Sequence, residues 1–156
     1  MSETQATRAL KAAKTAFEPL EYDYVAGQNR IGEHAADAVG EDPRVVLKTL
    51  MIEVDGKPAC VAIPVAASLS MKAAARAFGG KSATMMEPAK AERLTGFRTG
   101  GISPFGQKRR VPCAMEETVL DAPLIVLNGG QRGLMVRLAP ADALAVAGAT
   151  PAPLIA

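Results

Sequence analysis

The chain has no tryptophan, one histidine (His34) and two cysteines, Cys60 and Cys113. One histidine and two isolated cysteines cannot supply the four-ligand set of a structural zinc site. His34 has no obvious Ser or Cys partner, and no Gly-x-Ser-x-Gly elbow occurs, so no catalytic triad can be assembled. Two cysteines in 156 residues make no disulfide framework. No apolar run approaches the ~20 residues of a membrane span. Residues 1–16 are too polar for a secretory leader. These absences lead to the expectation of a cytoplasmic protein with no metal, no cofactor and no membrane partner. Aromatic residues are only 4% of the chain, so its core must be built from Ala, Val, Leu, Ile and Met. Net charge is +2, too small to mark a general polyanion-binding surface. Any nucleic-acid contact must rest on local clusters.

What is present is one domain's worth of chain, 1–156, with 49% hydrophobic residues. Ala6, Ala9, Leu10, Ala13 and Phe17 fall at helical spacing and predict a helix within residues 4–17. Leu20, Tyr22 and Tyr24 alternate with acidic residues and predict a strand. A short helix fits Ile31–Val39, ended by Gly40. Val45–Val54 and Ala59–Val65 predict two strands around an Asp55-Gly56 hairpin turn. Pro58 and Pro64 confine the second strand's pairing to its ends or edges. Ser70 caps a helix over Met71–Phe78, and Pro88 opens another that Gly96 closes. Strands are expected over Lys81–Met86, Val111–Met115, Leu124–Asn128 and Leu134–Leu138. Pro140 starts a last helix, and Pro151–Ala156 reads as a tail. Interspersed strands and helices with a clear hairpin predict an α+β fold around a mixed sheet.

Three features could carry chemistry. Lys48 interrupts the apolar face Val46, Leu50, Ile52, Val54 of its strand. It either snorkels to water or stands as a cation at a pocket floor, facing a phosphate or a developing oxyanion. The segment Thr99-Gly100-Gly101-Ile102-Ser103-Pro104-Phe105-Gly106 could offer backbone N–H groups to a carbonyl oxygen or phosphate, or be a surface turn. Lys108-Arg109-Arg110 follows it directly, with Arg98 before and Arg132 in a second glycine-rich turn. Such a run is either a solvated face or a phosphodiester contact. Tyr22, Tyr24, Phe97 and Phe105 could stack on a terminal base, with core packing as the alternative. Gly80-Lys81-Ser82 ends like a P-loop, but the glycine required five residues earlier is Ala75 and a helix precedes it. Cys113, between Pro112 and Ala114, reads as a buried inert thiol.

Val46-Leu47-Lys48-Thr49-Leu50, the Gly100–Lys108 loop and Asn128-Gly129-Gly130-Gln131-Arg132-Gly133-Leu134 closely resemble the YbaK family. These are prolyl-tRNA editing proteins related to the insertion domain of bacterial prolyl-tRNA synthetase. Three motifs in order, over Leu20 to Leu138, carry the resemblance. It implies a single compact α+β domain, a mixed barrel-like sheet surrounded by helices. It implies deacylation of tRNA(Pro) mischarged with Cys or Ala. Lys48 matches the family's essential lysine, and Gly100, Gly101, Ile102, Ser103 and Pro104 match the loop that holds the scissile ester. Tyr22, Ile31 and Thr49 match positions lining the aminoacyl pocket, and Asn128 and Gly129 match the second glycine turn. Many Cys-removing members have an Asp where Met135 stands here. The partners implied are the aminoacyl-tRNA acceptor end, with Lys108, Arg109 and Arg110 on its phosphates, and prolyl-tRNA synthetase. The competing reading is a non-catalytic regulator on the same fold that binds an aminoacyl or nucleotide ligand.

Overall fold

The structure is a computed structural model and describes residues 3–24 and 31–156. Its organising element is the hairpin of β2 (Leu47–Val54) and β3 (Lys57–Pro64). Asp55 and Gly56 take φ of 50° and 81°, the left-handed pair whose twist matches that of the flanking strands. The register runs from Val54 opposite Lys57 to Leu47 opposite Pro64. Val65 N–H donates to the Val46 carbonyl at 2.8 Å, so hydrogen-bonded pairs fall at even-numbered β2 residues. Pro58 and Pro64 face Glu53 and Leu47, both non-bonded pairs, where a missing N–H costs no ladder bond. On its other side β3 pairs with β5 (Cys113–Glu116) only over Cys60–Ala62, clear of both prolines.

The hairpin lies in a five-stranded mixed sheet of order β4-β2-β3-β5-β8, with β4 at Ala83–Met85 and β8 at Ala149–Ala152. The segment expected to be a tail thus begins inside the sheet, because β8 adds in parallel to β5. Beyond it Leu154 is fully buried, and its N–H donates to the Glu116 carboxylate at 2.8 Å. A second, antiparallel sheet has order β1-β7-β6: β1 Glu18–Glu21, β7 Leu134–Leu138, β6 Ile125–Gln131. A parallel bridge between Val46 and Val126 joins the sheets along the edge of β2. The expected strand at Leu20–Tyr24 lies earlier, although Tyr22 N–H still reaches the Gly133 carbonyl at 2.9 Å. Gly129-Gly130 is not a turn between strands. β6 continues through it by a bulge between Asn128 and Gln131, and the reversal falls at Arg132-Gly133.

Among the described residues, five α-helices surround the sheets. α1 (Gln5–Ala12) is capped by Thr4 in a capping box with Thr7 and ends before Lys14, whose φ is 56°. That stops it short of the expected Phe17. α2 (Ile31–Val39) keeps its expected bounds. α3 (Met71–Ala77) is capped by Ser70, whose side chain accepts from Ala73 N–H. α4 (Pro88–Thr95) and α5 (Pro140–Ala147) begin at proline and end on left-handed Gly96 and Gly148. A 3-10 turn, Glu117–Asp121, was not signalled by periodicity. Lys81 and Ser82 donate their N–H groups to the Asp55 carboxylate at 3.1 and 3.0 Å, so this segment offers no phosphate cradle.

The core between the sheets holds Met51, Phe97, Phe105, Met115 and Leu127. Phe105 and Phe97 are 0% and 5% exposed, so neither is a stacking surface. Burying such side chains contributes roughly 1.5–3 kcal/mol each, and Phe105 thereby anchors the loop that precedes it. No helix among the described residues is long and apolar enough to cross a membrane.

Candidate active site

A cavity of about 310 Å3 opens where the two sheets part along β2. Lys48, Thr49, Tyr22, Gly100, Ile102 and Asn128 line it. The structure therefore gathers six of the sequence-selected residues from β2, the loop after α4, β6 and the segment after β1. Lys48 is half-buried, and its ammonium has no hydrogen bond or ion pair among the described residues. It neither reaches a carboxylate nor stands fully in water, as a cation awaiting an anion would. Burial raises the Tyr22 phenol above its ordinary value, against a hydrogen bond with the Gly133 backbone that lowers it.

The glycine loop forms the opposite wall. Gly100 has φ +89°, and a methyl there would sit 2.9 Å from the Tyr24 hydroxyl. Its carbonyl accepts from the Asn128 side-chain amide at 3.1 Å. The Asn128 amide oxygen accepts from Gly130 and Gln131 N–H at 2.7 and 3.2 Å. Asn128 thus ties the loop to the β6 bulge. The loop is held from below by Gln107, whose amide donates to the Ser103 carbonyl at 3.0 Å. From the side, Gln5 donates to the carbonyls of Thr95 and Gly106 at 3.1 and 2.9 Å.

Several selected residues do not line the cavity. Gly101 is buried against the backbone of Gln131 and Arg132, and its N–H already donates to the Arg98 carbonyl at 2.8 Å. Of the N–H groups this loop could offer, that of Gly101 is thus already engaged. Gly100 and Ile102 are the cavity-lining loop residues whose N–H groups have no partner among the described residues. Ser103 is buried and its hydroxyl accepts from Phe105 N–H at 3.1 Å. Pro104 lines a different cavity. Gly129 is buried, with its carbonyl accepting from the Thr4 hydroxyl at 2.6 Å. These four are supports of the wall. The side chains of Ile31 and His34 lie outside the described residues.

Lys108, Arg109 and Arg110 are exposed and none lines the cavity. Lys108 and Arg109 donate N–H to the carbonyls of Thr95 and Leu94 at 2.8 and 2.9 Å, which fixes their backbone on the end of α4. Arg110 turns toward Gly148 and the second cavity. Of the aromatic residues, Tyr24 remains half-exposed, with the Arg132 guanidinium 4.9 Å from its ring centre. Arg132 also donates to the Thr99 carbonyl at 2.8 Å, so the pair stands beside the loop.

Sequence reasoning singled out Met135 but missed the rest of the apolar lining. Met51, Met85, Met86 and Met135 come from β2, β4, the residue after it, and β7. No single periodic pattern contains them. Met135 does occupy the cavity wall, so its departure from an acidic residue falls on the site itself. Cys60 and Cys113 are free, buried and opposite one another in the parallel β3–β5 ladder. Hydrogen bonding to Cys113 and burial hold the Cys60 thiol well above its ordinary value, which fits an inert pair. No group of metal-ligating side chains occurs among the described residues.

Residues 29–146 match the aminoacyl-tRNA editing domain family, and the chain belongs to it. It is 30% identical over 140 residues to the Enterococcus faecalis protein EbsC, covering 88% of this chain and 84% of that one. The name of that relative assigns it, as a candidate activity, to Cys-tRNA(Pro)/Cys-tRNA(Cys) deacylation. A crystal structure described as a candidate trans-editing enzyme for prolyl tRNA synthetase superposes with a TM-score of 0.83 at 26% identity, over 100% of this chain and 99% of that one. The hypothetical protein APE2540 shares the fold at a TM-score of 0.84 and 19% identity, over 97% and 99% of the two chains.

Proposed function

We propose that the chain is a single editing domain that deacylates mischarged tRNA(Pro) in trans, removing Cys or Ala from the 3′ end. The observation that carries this reading is the unpaired Lys48 facing the Gly100–Ile102 loop across one apolar cavity. An aminoacyl ester is already activated, so the site needs no nucleophile of its own. It needs to hold the ester in position and to stabilise charge on its carbonyl oxygen. The free N–H groups of Gly100 and Ile102 serve that oxygen. Lys48 holds the terminal phosphate or ribose and adds positive potential. Cavities of roughly 300 Å3 lie at the small end of ligand sites, which suits a small aminoacyl group.

Two routes then lead to the product. For an alanyl ester, water attacks the carbonyl and the ribose oxygen leaves with a proton. For a cysteinyl ester, the substrate's own sulfur attacks: a C–S bond forms, the C–O ester bond breaks and the thiol proton passes to the ribose oxygen. Water afterwards opens the resulting thiolactone. Lys108, Arg109 and Arg110 contact acceptor-stem phosphates outside the cavity, and Tyr24 with Arg132 offers a stacking face for the terminal adenine. Prolyl-tRNA synthetase is the proposed source of tRNA identity, in the cytoplasm. Early-time product analysis tests the routes: thiolactone before free cysteine marks cyclisation, and free cysteine alone from the first turnover rejects it.

A further inference from the structure

Two segments far apart in sequence frame the cavity. One is the loop that leads from the end of α4 through Gly100–Ile102 to Gly106, and the other is the β6 bulge at Asn128–Gln131. The first turn of α1 touches both from behind. Thr4, which caps α1, is buried, and its hydroxyl donates to the Gly129 carbonyl at 2.6 Å while accepting from Thr7 N–H at 3.0 Å. The Gln5 amide donates to the carbonyls of Thr95 and Gly106 at 3.1 and 2.9 Å, which ties the two ends of the loop to one side chain. The approach leaves no room for a side chain on either wall. A methyl at Gly106 would stand 2.4 Å from the Gln5 carbonyl oxygen, and one at Gly130 would stand 3.0 Å from both the Ala6 methyl and the Thr4 hydroxyl. Ala6 is fully buried at that contact.

Neither Thr4 nor Gln5 lines the cavity, so neither reaches the ester. What they can set is the distance between its walls. At the front the Asn128 amide joins Gly100 to the bulge, and at the rear α1 joins the same two segments. Donors to a developing oxyanion must be held to within roughly 0.5 Å, and a shift of about 1 Å can cost on the order of 100-fold in rate. The part of the chain that matches the editing family begins at residue 29, so α1 lies outside it. We infer that the first turn of α1 is a rear brace of the active site, with Thr4 and Gln5 as positioning residues for the Gly100–Ile102 donors. Such a brace acts on the chemical step, so its loss lowers kcat and leaves KM in place. This inference rests on the deacylase reading.

The test measures kcat and KM on alanyl- and cysteinyl-tRNA(Pro) for wild type, Gln5→Ala, Gln5→Glu, Thr4→Val and Thr4→Ser, each at a temperature where its melting curve shows it folded. Gln5→Glu keeps the size of the side chain and removes its donors, and an acidic residue in the first turn does not weaken the helix. The Gln5 variants therefore carry the test where loss of the Thr4 cap unfolds α1. Gln5→Ala, Gln5→Glu and Thr4→Val are expected to lose about tenfold in kcat with KM unchanged, the scale of a misplacement below 1 Å. Thr4→Ser, which keeps both hydroxyl hydrogen bonds, recovers the kcat that Thr4→Val loses. Folded Gln5 variants with the kcat of wild type, or a loss that falls on KM instead, overturn the brace while leaving the deacylase standing. Wild type inactive on both esters overturns the deacylase reading and this inference with it.

Discussion

The side-chain amide of Asn128 donates to the Gly100 carbonyl at 3.1 Å while its oxygen accepts from Gly130 and Gln131 N–H. One residue thereby fixes the spacing between the two glycine segments that frame the cavity. Asn128→Ala should lower kcat by about 10- to 100-fold, the cost of a misplaced reacting group, and lower stability by about 1–3 kcal/mol through the groups it leaves unpaired. Asn128→Asp keeps the acceptor but turns a carboxylate toward the Gly100 carbonyl, and should be at least as damaging. Single-turnover deacylation with thermal melts checks both.

At Gly100, in the cavity wall, a side chain is excluded twice over, by φ of +89° and by the Tyr24 hydroxyl. Gly100→Ala should lower deacylation steeply, and adding Tyr24→Ala should restore it only in part, because backbone strain of about 1–2 kcal/mol remains. Full rescue by the double variant would show that the ring contact alone matters.

The asymmetry between what could and could not be read from the sequence has physical causes. The β2–β3 hairpin was legible because Asp-Gly supplies two left-handed residues, α4 because proline opens and glycine closes it, and α5 because proline opens it. Lys48, Thr49, Gly100 and Asn128 stood out through local motifs. β8 did not, since Ala-Thr-Pro-Ala carries no alternation and is held by its parallel partner β5. β6 ran on through Gly129-Gly130 because a bulge absorbs the flexible pair. The engagement of Gly101 N–H by Arg98, which passes the exposed donors to Gly100 and Ile102, depends on a turn that no spacing announces.

Glu116 fastens the C-terminal segment. Burial by itself would raise its carboxyl, but N–H donors from Leu154 and Thr118 outweigh that and hold it below its ordinary 4.5. A depressed carboxyl stabilises the fold fully above the unfolded-state value, and that contribution fades as pH falls through the lower folded value. Glu116→Gln should therefore cost about 2 kcal/mol at neutral pH and flatten the loss of stability below pH ~4.5. Denaturant melts from pH 3 to pH 7 (roughly the range over which carboxylates titrate) provide the measurement.

The exposed trio Lys108, Arg109 and Arg110 lies outside the cavity. Replacing all three by Ala should weaken tRNA binding and reduce the slope of log K against log salt by about 2, given roughly 0.7–0.9 per phosphate contact. Turnover at saturating tRNA should stay the same. An unchanged salt slope would remove these residues from the interface.

The most direct measurement of the central claim is deacylation of Cys-tRNA(Pro), Ala-tRNA(Pro) and Pro-tRNA(Pro) by wild type and Lys48→Ala side by side. The account predicts that wild type clears at least one mischarged species and spares Pro-tRNA(Pro), and that Lys48→Ala, still folded, loses on the order of 100-fold or more in kcat/KM. Equal rates for wild type and Lys48→Ala, or no clearance of either mischarged tRNA by wild type, would contradict it.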